Sequence, residues 1–298
     1  MKSMSAIQNT AKILPPLRTE AIYDTKIHAT EIGEVERPLS RWEQVSNLTW
    51  VRRASILILL GLLWQTYAAW KDNPLVFPTL SDTLAALWHM RDVIVLRCLI
   101  SMKVLIVGYV VGVALAAVLT TFAVSTRFGA DLLSTLTAMF NPLPAIGLLP
   151  LALLWFGLGN EAIVFVLIHS VLWSVSLNTL SGFLSVPDTL RMAGNNFGLK
   201  GIRYVAQILV PAAFPSILTG LKIGWAFAWR TLIAAELVYG TSSGTGGLGW
   251  FIYENRNALE VPNVFAGLLT VILIGLFVES VIFRTIEKHT VDKWGMRR

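Results

Sequence analysis

A single cysteine, Cys98, in 298 residues excludes an internal disulfide and any zinc site built on cysteines. Four scattered histidines give no clustered set of metal ligands. No nucleophile stands beside a base in a pattern that would mark covalent catalysis, so an enzyme is not expected. Charge is also scarce. Only 14% of residues are Asp, Glu, Lys or Arg, against about 25% in soluble domains. A Gly-x-x-x-x-Gly-Lys-Ser/Thr phosphate loop is missing from the sequence. The glycine-rich GTSSGTGGLG at 240–249 has neither the lysine nor the buried strand that precedes such a loop, and reads as a flexible connection, a gate or a docking surface.

What is present is apolar. Hydrophobic residues make up 55% of the chain, which points to an integral, all-α membrane protein. The net charge of +6 fits a positive-inside bias better than a nucleic-acid partner. Residues 1–50 are polar, mix both signs of charge and contain Pro15, Pro16 and Pro38. They are expected to form a cytoplasmic extension without a secretory signal, with a short interfacial helix near Arg41–Trp50. Residues 51–298 then form the transmembrane domain.

Six apolar runs suit six spans of roughly 17–25 residues. They lie at about Ala54–Trp70, Val104–Val124, Leu143–Gly157, Ala162–Leu184, Ser216–Val238 and Val264–Phe283. The third is short and contains Pro144 and Pro150. Before it, apolar residues at 132, 133, 136, 139 and 140 share one helical face, and this segment is expected to lie along the membrane surface. Arg52, Arg53, Arg127, Arg191, Lys200, Arg203 and the cluster from Arg284 to Arg298 outnumber Lys71, Arg91, Arg97, Lys103 and Arg256. This asymmetry predicts that both termini are cytoplasmic. Gly108, Gly112 and Ala116, and again Gly220, Gly224 and Ala228, recur every four residues as helix-packing stripes.

Between the fourth and fifth runs lies the polar insert Val186–Pro215. Asp188–Asn196 reads as a helix and Gly198 as a turn at positive φ. Ile202–Val210 reads as a second helix ended by Pro211. Leu190, Met192, Ala193 and Phe197 are more apolar than a solvated loop requires. In the fifth run Arg230 lies near mid-membrane and Glu236 towards the outer end. Such residues face a bundle interior or a wet path. Arg230 suits an anionic guest, or a structural pair with Glu236 or Glu279. In the fourth run His169 and Trp173 share a face with Ser176. Lys222, near the inner end of the fifth run, can snorkel.

The insert's Met192-Ala193-Gly194, three residues, Gly198 and then Val210-Pro211 resembles the cytoplasmic coupling motif of ABC importer permeases. That motif runs Glu-Ala-Ala, three residues, Gly, then Leu-Pro. Met192 stands in the place of the Glu and Gly194 in that of the second Ala. NPLPAIGLLPLALLWFGLG (141–159), PAAFPSILTGLKIG (211–224) and LIAAEL (232–237) are similar to the nitrate, sulfonate, taurine and bicarbonate branch. The resemblance covers about Phe77–Glu287. It implies a type I ABC importer permease fold working as a homodimer in a bacterial inner membrane. It also implies a path for a small anion, a periplasmic substrate-binding protein, and a separate ATP-binding subunit that holds the ATP and Mg. Leu190, Met192, Ala193, Gly194, Phe197, Gly198 and Pro211 would couple to that ATPase. Arg230, Glu236, His169 and Trp173 would line the path. An ion-driven secondary transporter is the alternative, and would more often show internal repeats and membrane carboxylates.

Overall fold

A computed structural model describes residues 47–239, 246–293 and 295. The expected N-terminal extension up to residue 46 and most of the glycine-rich loop, 240–245, lie outside them. The chain divides into two compact units, Met1–Leu57 and Ile58–Arg298. Of the first, residues 47–57 are described and carry the start of helix α1, Thr49–Lys71. The second holds the other helices: α2 Leu80–His89, α3 Arg91–Ser125, α4 Arg127–Phe140, α5 Leu149–Phe156, α6 Asn160–Leu184 and α7 Asp188–Asn196. After these come α8 Gly201–Val238, α9 Leu248–Asn257 and α10 Val261–Asp292. No strand occurs among the described residues.

Four of these helices, α3, α6, α8 and α10, are long and apolar enough to cross a membrane. A fifth crossing is available if the bent pair α4 and Ala145–Phe156 counts as one. Helix α1 has the length but is not among the four. Arg52 and Arg53 at its start, and Gln65 and Lys71 near its end, shorten its apolar stretch.

Helix α6 is the centre of the bundle. Ala162, Val166, Leu167, Val171 and Ser176 are fully or almost fully buried. Between lipid tails as apolar as leucine, helices associate through close packing rather than through expulsion of water. The small-residue stripes supply it. A Cβ on Gly108 would meet Leu167 at 2.6 Å, and one on Gly112 would meet Val171 at 2.9 Å. On the other side, Gly220 would meet Asn178 at 2.8 Å and Gly224 would meet Val175 at 3.0 Å. Helices α3 and α8 thus clasp α6 from two directions. Within the second unit, Trp64 donates from Nε1 to Pro78 O at 3.0 Å and packs on Phe77 and Phe265, which fixes the later half of α1 against α10.

Two expectations need correction. The third apolar run is not a single span. Pro142 and Pro144 break the chain after α4, a short 3-10 turn occupies Ala145–Leu148, and α5 has only eight residues, about 12 Å of rise. Gly157, at φ 77°, ends it. Helix α4 and this segment meet at 86°, so α4 forms one arm of a bent pair, with Gly129, Leu133 and Thr137 buried along one face. Secondly, Pro211 does not end the insert's second helix, and Pro215 too lies inside helical structure. A π-helical turn at Val205–Leu209 shifts the pairing, so that Val210 N bonds to Val205 O five residues back. The register has therefore slipped by one residue just before the proline that cannot donate. Helix α8 then runs unbroken from the insert into the span.

Candidate functional site

The insert is held rigidly to the end of α6. Arg191, on α7, donates from Nη2 to Phe183 O at 2.6 Å and from Nε to Val186 O at 3.1 Å. These carbonyls belong to the last turn of α6 and its exit, where helical acceptors lack partners. Gly198 N bonds to Asn195 O at 2.9 Å, and Leu199 N to Gly194 O at 3.1 Å. With Gly198 at φ 70°, this is the Schellman closure of a helix, which favours glycine at that position. Gly194 is buried, and a Cβ there would sit 3.0 Å from both Tyr204 and Ile208. The ring of Tyr204 occupies the space that an alanine would need, which accounts for glycine at the second alanine place. Val205 and Leu209 pack with Phe183, Val186 and Ala213 beneath the insert.

The opposite side of the insert is open and apolar. Phe197 is 82% exposed, Ile202 77% and Met192 57%, with Leu190 also exposed. Ala193 is half-buried and Pro211 lies within α8. Arg191 was not singled out from sequence. Its signal is a cation three residues after the helix start, within reach of the preceding helix's free carbonyls.

A second site lies among the spans. A cavity of about 180 Å³ is lined by Asn141 and Pro144 at the α4–α5 bend, by His169, Ser170, Trp173 and Ser174 on α6, and by Phe227 and Thr231 on α8. Trp173 stacks on Phe140 with centroids 5.4 Å apart, and His169 meets both rings edge-on. Ser170 and Thr231 face each other across α6 and α8 at 3.4 Å between hydroxyls, a long contact. His169 Nδ1 and Nε2 and Trp173 Nε1 are buried without a hydrogen-bond partner among the described residues. Of the four residues predicted for the path, His169 and Trp173 therefore share this cavity, and the other two do not line it.

Arg230 is exposed. Its guanidinium lies 4.9 Å from the centroid of Phe227, and its Nε donates to Ala226 O. It lines a different cavity of about 330 Å³ with Lys222, Trp229, Gly275 and Glu279, and no carboxylate among the described residues lies within ion-pair distance. The alternative reading of Arg230, a structural pair with Glu236 or Glu279, is not seen among the described residues. Lys222 does not simply snorkel. It pairs with Glu287 at 2.8 Å.

Glu236 is fully buried. Ser101 Oγ lies 2.8 Å from both carboxylate oxygens, and Gly249 N donates to Oε2 at 2.8 Å. Leu248 N donates to Ser101 Oγ at 2.8 Å. Beside this knot, Arg97 donates to Gly246 O at 2.7 Å and pairs with Glu254 at 2.9 Å. A Cβ on Gly247 would collide with Glu236 and Ser101, and one on Gly249 would approach Ile233 O to 2.6 Å. The glycines after the loop are thus needed for close approach to a buried carboxylate. Ser101 was missed because a lone serine in an apolar run carries no signal.

Residues 108–288 match the family described as binding-protein-dependent transport system inner membrane component. A putative ABC transporter permease of Methanocaldococcus jannaschii is 30% identical over 253 residues, covering 83% of this chain and 94% of that protein. The taurine transport system permease of Escherichia coli is 25% identical over 273 residues, covering 87% of this chain and 92% of its own length. The nitrate import permease of a Synechocystis strain is 30% identical over 173 residues, covering 58% of this chain and 60% of that one.

Proposed function

Since the chain belongs to the binding-protein-dependent transport system inner membrane components, among the ABC permeases of the nitrate, sulfonate and taurine branch, we propose that it forms the translocation path of an ATP-driven importer for a small anion. The transporting unit is a homodimer in a bacterial inner membrane. Each copy has six spans, counted as α1, α3, the bent pair of α4 with Ala145–Phe156, α6, α8 and α10, with residues 1–50 and the C-terminus in the cytoplasm. A periplasmic binding protein delivers the solute, and a separate ATPase subunit binds ATP and Mg. This chain carries no catalysis of its own; it couples and conducts.

The observation that carries this reading is the apolar edge of the insert. Phe197, Ile202 and Met192 stand exposed on a loop that Arg191 and the Schellman closure hold stiff. Exposed aromatic and aliphatic groups on an otherwise polar, rigid surface mark a protein-binding site. Helix α8 begins within the insert, so a partner gripping Ile202 would move the helix that carries Phe227 and Thr231 on the cavity wall.

Co-purification tests it. The wild-type chain, expressed with the cognate ATPase subunit, should retain that subunit through affinity capture. Phe197→Ser combined with Ile202→Ser should cut recovery at least tenfold with an unchanged unfolding midpoint, because neither side chain is packed inside. Equal recovery would reject the insert as the coupling surface.

A further inference from the structure

The cavity between α4, α6 and α8 has a composition that selects its guest. None of its lining residues is Asp, Glu, Lys or Arg. A cation there would find no counter-charge. What it offers is donors. Trp173 Nε1–H can only donate, and His169 carries at least one N–H in either charge state. Trp173 is 8% exposed, and its ring nitrogen has no partner among the described residues. Ser170 and Ser174 are buried too, and the hydroxyl contacts they make, to Thr231 and to Ser170 O, are stretched to 3.4 Å. An unmade buried hydrogen bond is costly, so a group that accepts from several of these atoms at once would be held there. The volume, about 180 Å³, far exceeds the roughly 10–15 Å³ needed for one water.

On the importer reading above, we infer that this cavity is a binding site for a monovalent oxyanion, a nitrate or the head of an alkyl sulfonate, held by neutral N–H and O–H donors rather than by Arg230. The guanidinium of Arg230 lines a different cavity and lies over the ring of Phe227. Two physical arguments favour neutral donors. A transit site must bind well enough to admit its solute and weakly enough to release it, and a sheltered cation would hold an anion too tightly. Neutral donors also discriminate by charge. The cost of taking an ion out of water rises steeply with its charge, so a dianion such as sulfate is excluded where a monoanion is accepted.

Thermal unfolding of the purified full chain in detergent tests the site. Sodium nitrate, sodium ethanesulfonate and sodium sulfate are compared at ionic strength matched with sodium chloride. Nitrate and ethanesulfonate should raise the midpoint saturably, and sulfate should not. Trp173→Phe keeps the stack on Phe140 and removes the N–H, while Thr231→Val keeps the shape and removes the hydroxyl. Each should raise the half-saturating concentration at least tenfold. Trp225→Phe removes another buried indole N–H, without a partner among the described residues and outside the cavity, and should change nothing. If Trp173→Phe does not fold, the near-isosteric Thr231→Val decides. Sulfate acting as strongly as nitrate, wild-type saturation in both cavity variants, or loss in Arg230→Gln alone would overturn the inference. ATPase recovery separates the two readings. Normal recovery without an anion effect rejects this site and leaves the importer standing, whereas an anion effect without ATPase recovery does the reverse.

Discussion

Ser101→Ala removes one oxygen from a polar knot whose Ser101 and Glu236 are fully buried. Two groups are left short. Leu248 N loses its acceptor, and the Glu236 carboxylate keeps only the Gly249 N–H of the two donors described around it. An orphaned buried N–H costs about 1–3 kcal/mol, and a hydrogen bond to a charged group is worth about 1.5–3 kcal/mol. Interhelical hydrogen bonds in membranes reach only about 1.7 kcal/mol each, because the unfolded helices find other partners. Weighing the two scales, a loss of about 2–4 kcal/mol is expected. Glu236→Gln should be milder, about 1 kcal/mol. Its oxygen can still accept from Gly249 and its amide can donate to a rotated Ser101 hydroxyl. Unfolding of the purified chain by denaturing detergent, monitored by helical circular dichroism, gives both values. If Ser101→Ala falls within about 0.5 kcal/mol of wild type, or if Glu236→Gln is the worse of the two, the knot does not carry the load described.

Gly198→Val forces a β-branched residue to φ 70°, with no neighbour within 4 Å of its Cβ among the described residues. The expected cost is about 1–2 kcal/mol from backbone conformation alone, read as loss of ATPase recovery with the chain still in the membrane. Gly194→Ala should lower stability by about 1–3 kcal/mol by overpacking against Tyr204, and adding Tyr204→Leu should recover part of it; no recovery would separate the two residues. Arg230→Gln should leave unfolding within about 0.5 kcal/mol of wild type, since no described carboxylate depends on it; a large loss would reveal a buried partner. A reporter fused after Arg298 should score as cytoplasmic and one inserted at Thr245 as external, and the reverse at either place would overturn the orientation.

Patterns that local chemistry decides were legible in the chain. Asp188–Asn196 is a helix at the predicted bounds, and Gly198 takes the positive φ expected of it. The four-residue stripes of glycine and alanine fall on helix contacts, as small residues must where backbones approach. What hydropathy could not give was continuity. Apolar content is lower over Gly201–Leu209 because Arg203 and Gln207 interrupt it, not because the helix stops. Its π-helical turn is invisible in composition, so Pro211 read as a terminator. The same limit misread the third run, where hydropathy is high across Leu143–Gly157 but prolines divide it into pieces too short to cross.

Which side chains come together was legible where periodicity placed them. His169 and Trp173, four apart on one helix, do share a cavity. Arg230 and Glu236 were read by depth alone, and depth does not say which way a side chain turns. Steps of about 100° per residue rotate Thr231 into the cavity wall and its neighbour Arg230 away from it. That rotation matters for coupling. Thr231 lies thirty residues from the start of α8 at Gly201, about 45 Å along one helix. No break in the described helix separates Ile202, on the insert's exposed apolar edge, from the hydroxyl opposite Ser170. A tilt of α8 imposed at Ile202 must therefore reach that contact as a change in spacing. The 3.4 Å separation of Ser170 and Thr231 is already at the limit of a hydrogen bond, so a shift of a few tenths of an ångström makes or breaks it. A cysteine pair at these two positions, in a chain with Cys98 replaced by serine, should cross-link to a different extent with and without ATP bound to the ATPase subunit. Equal cross-linking in both states would mean that the helix does not transmit motion from the insert to the cavity.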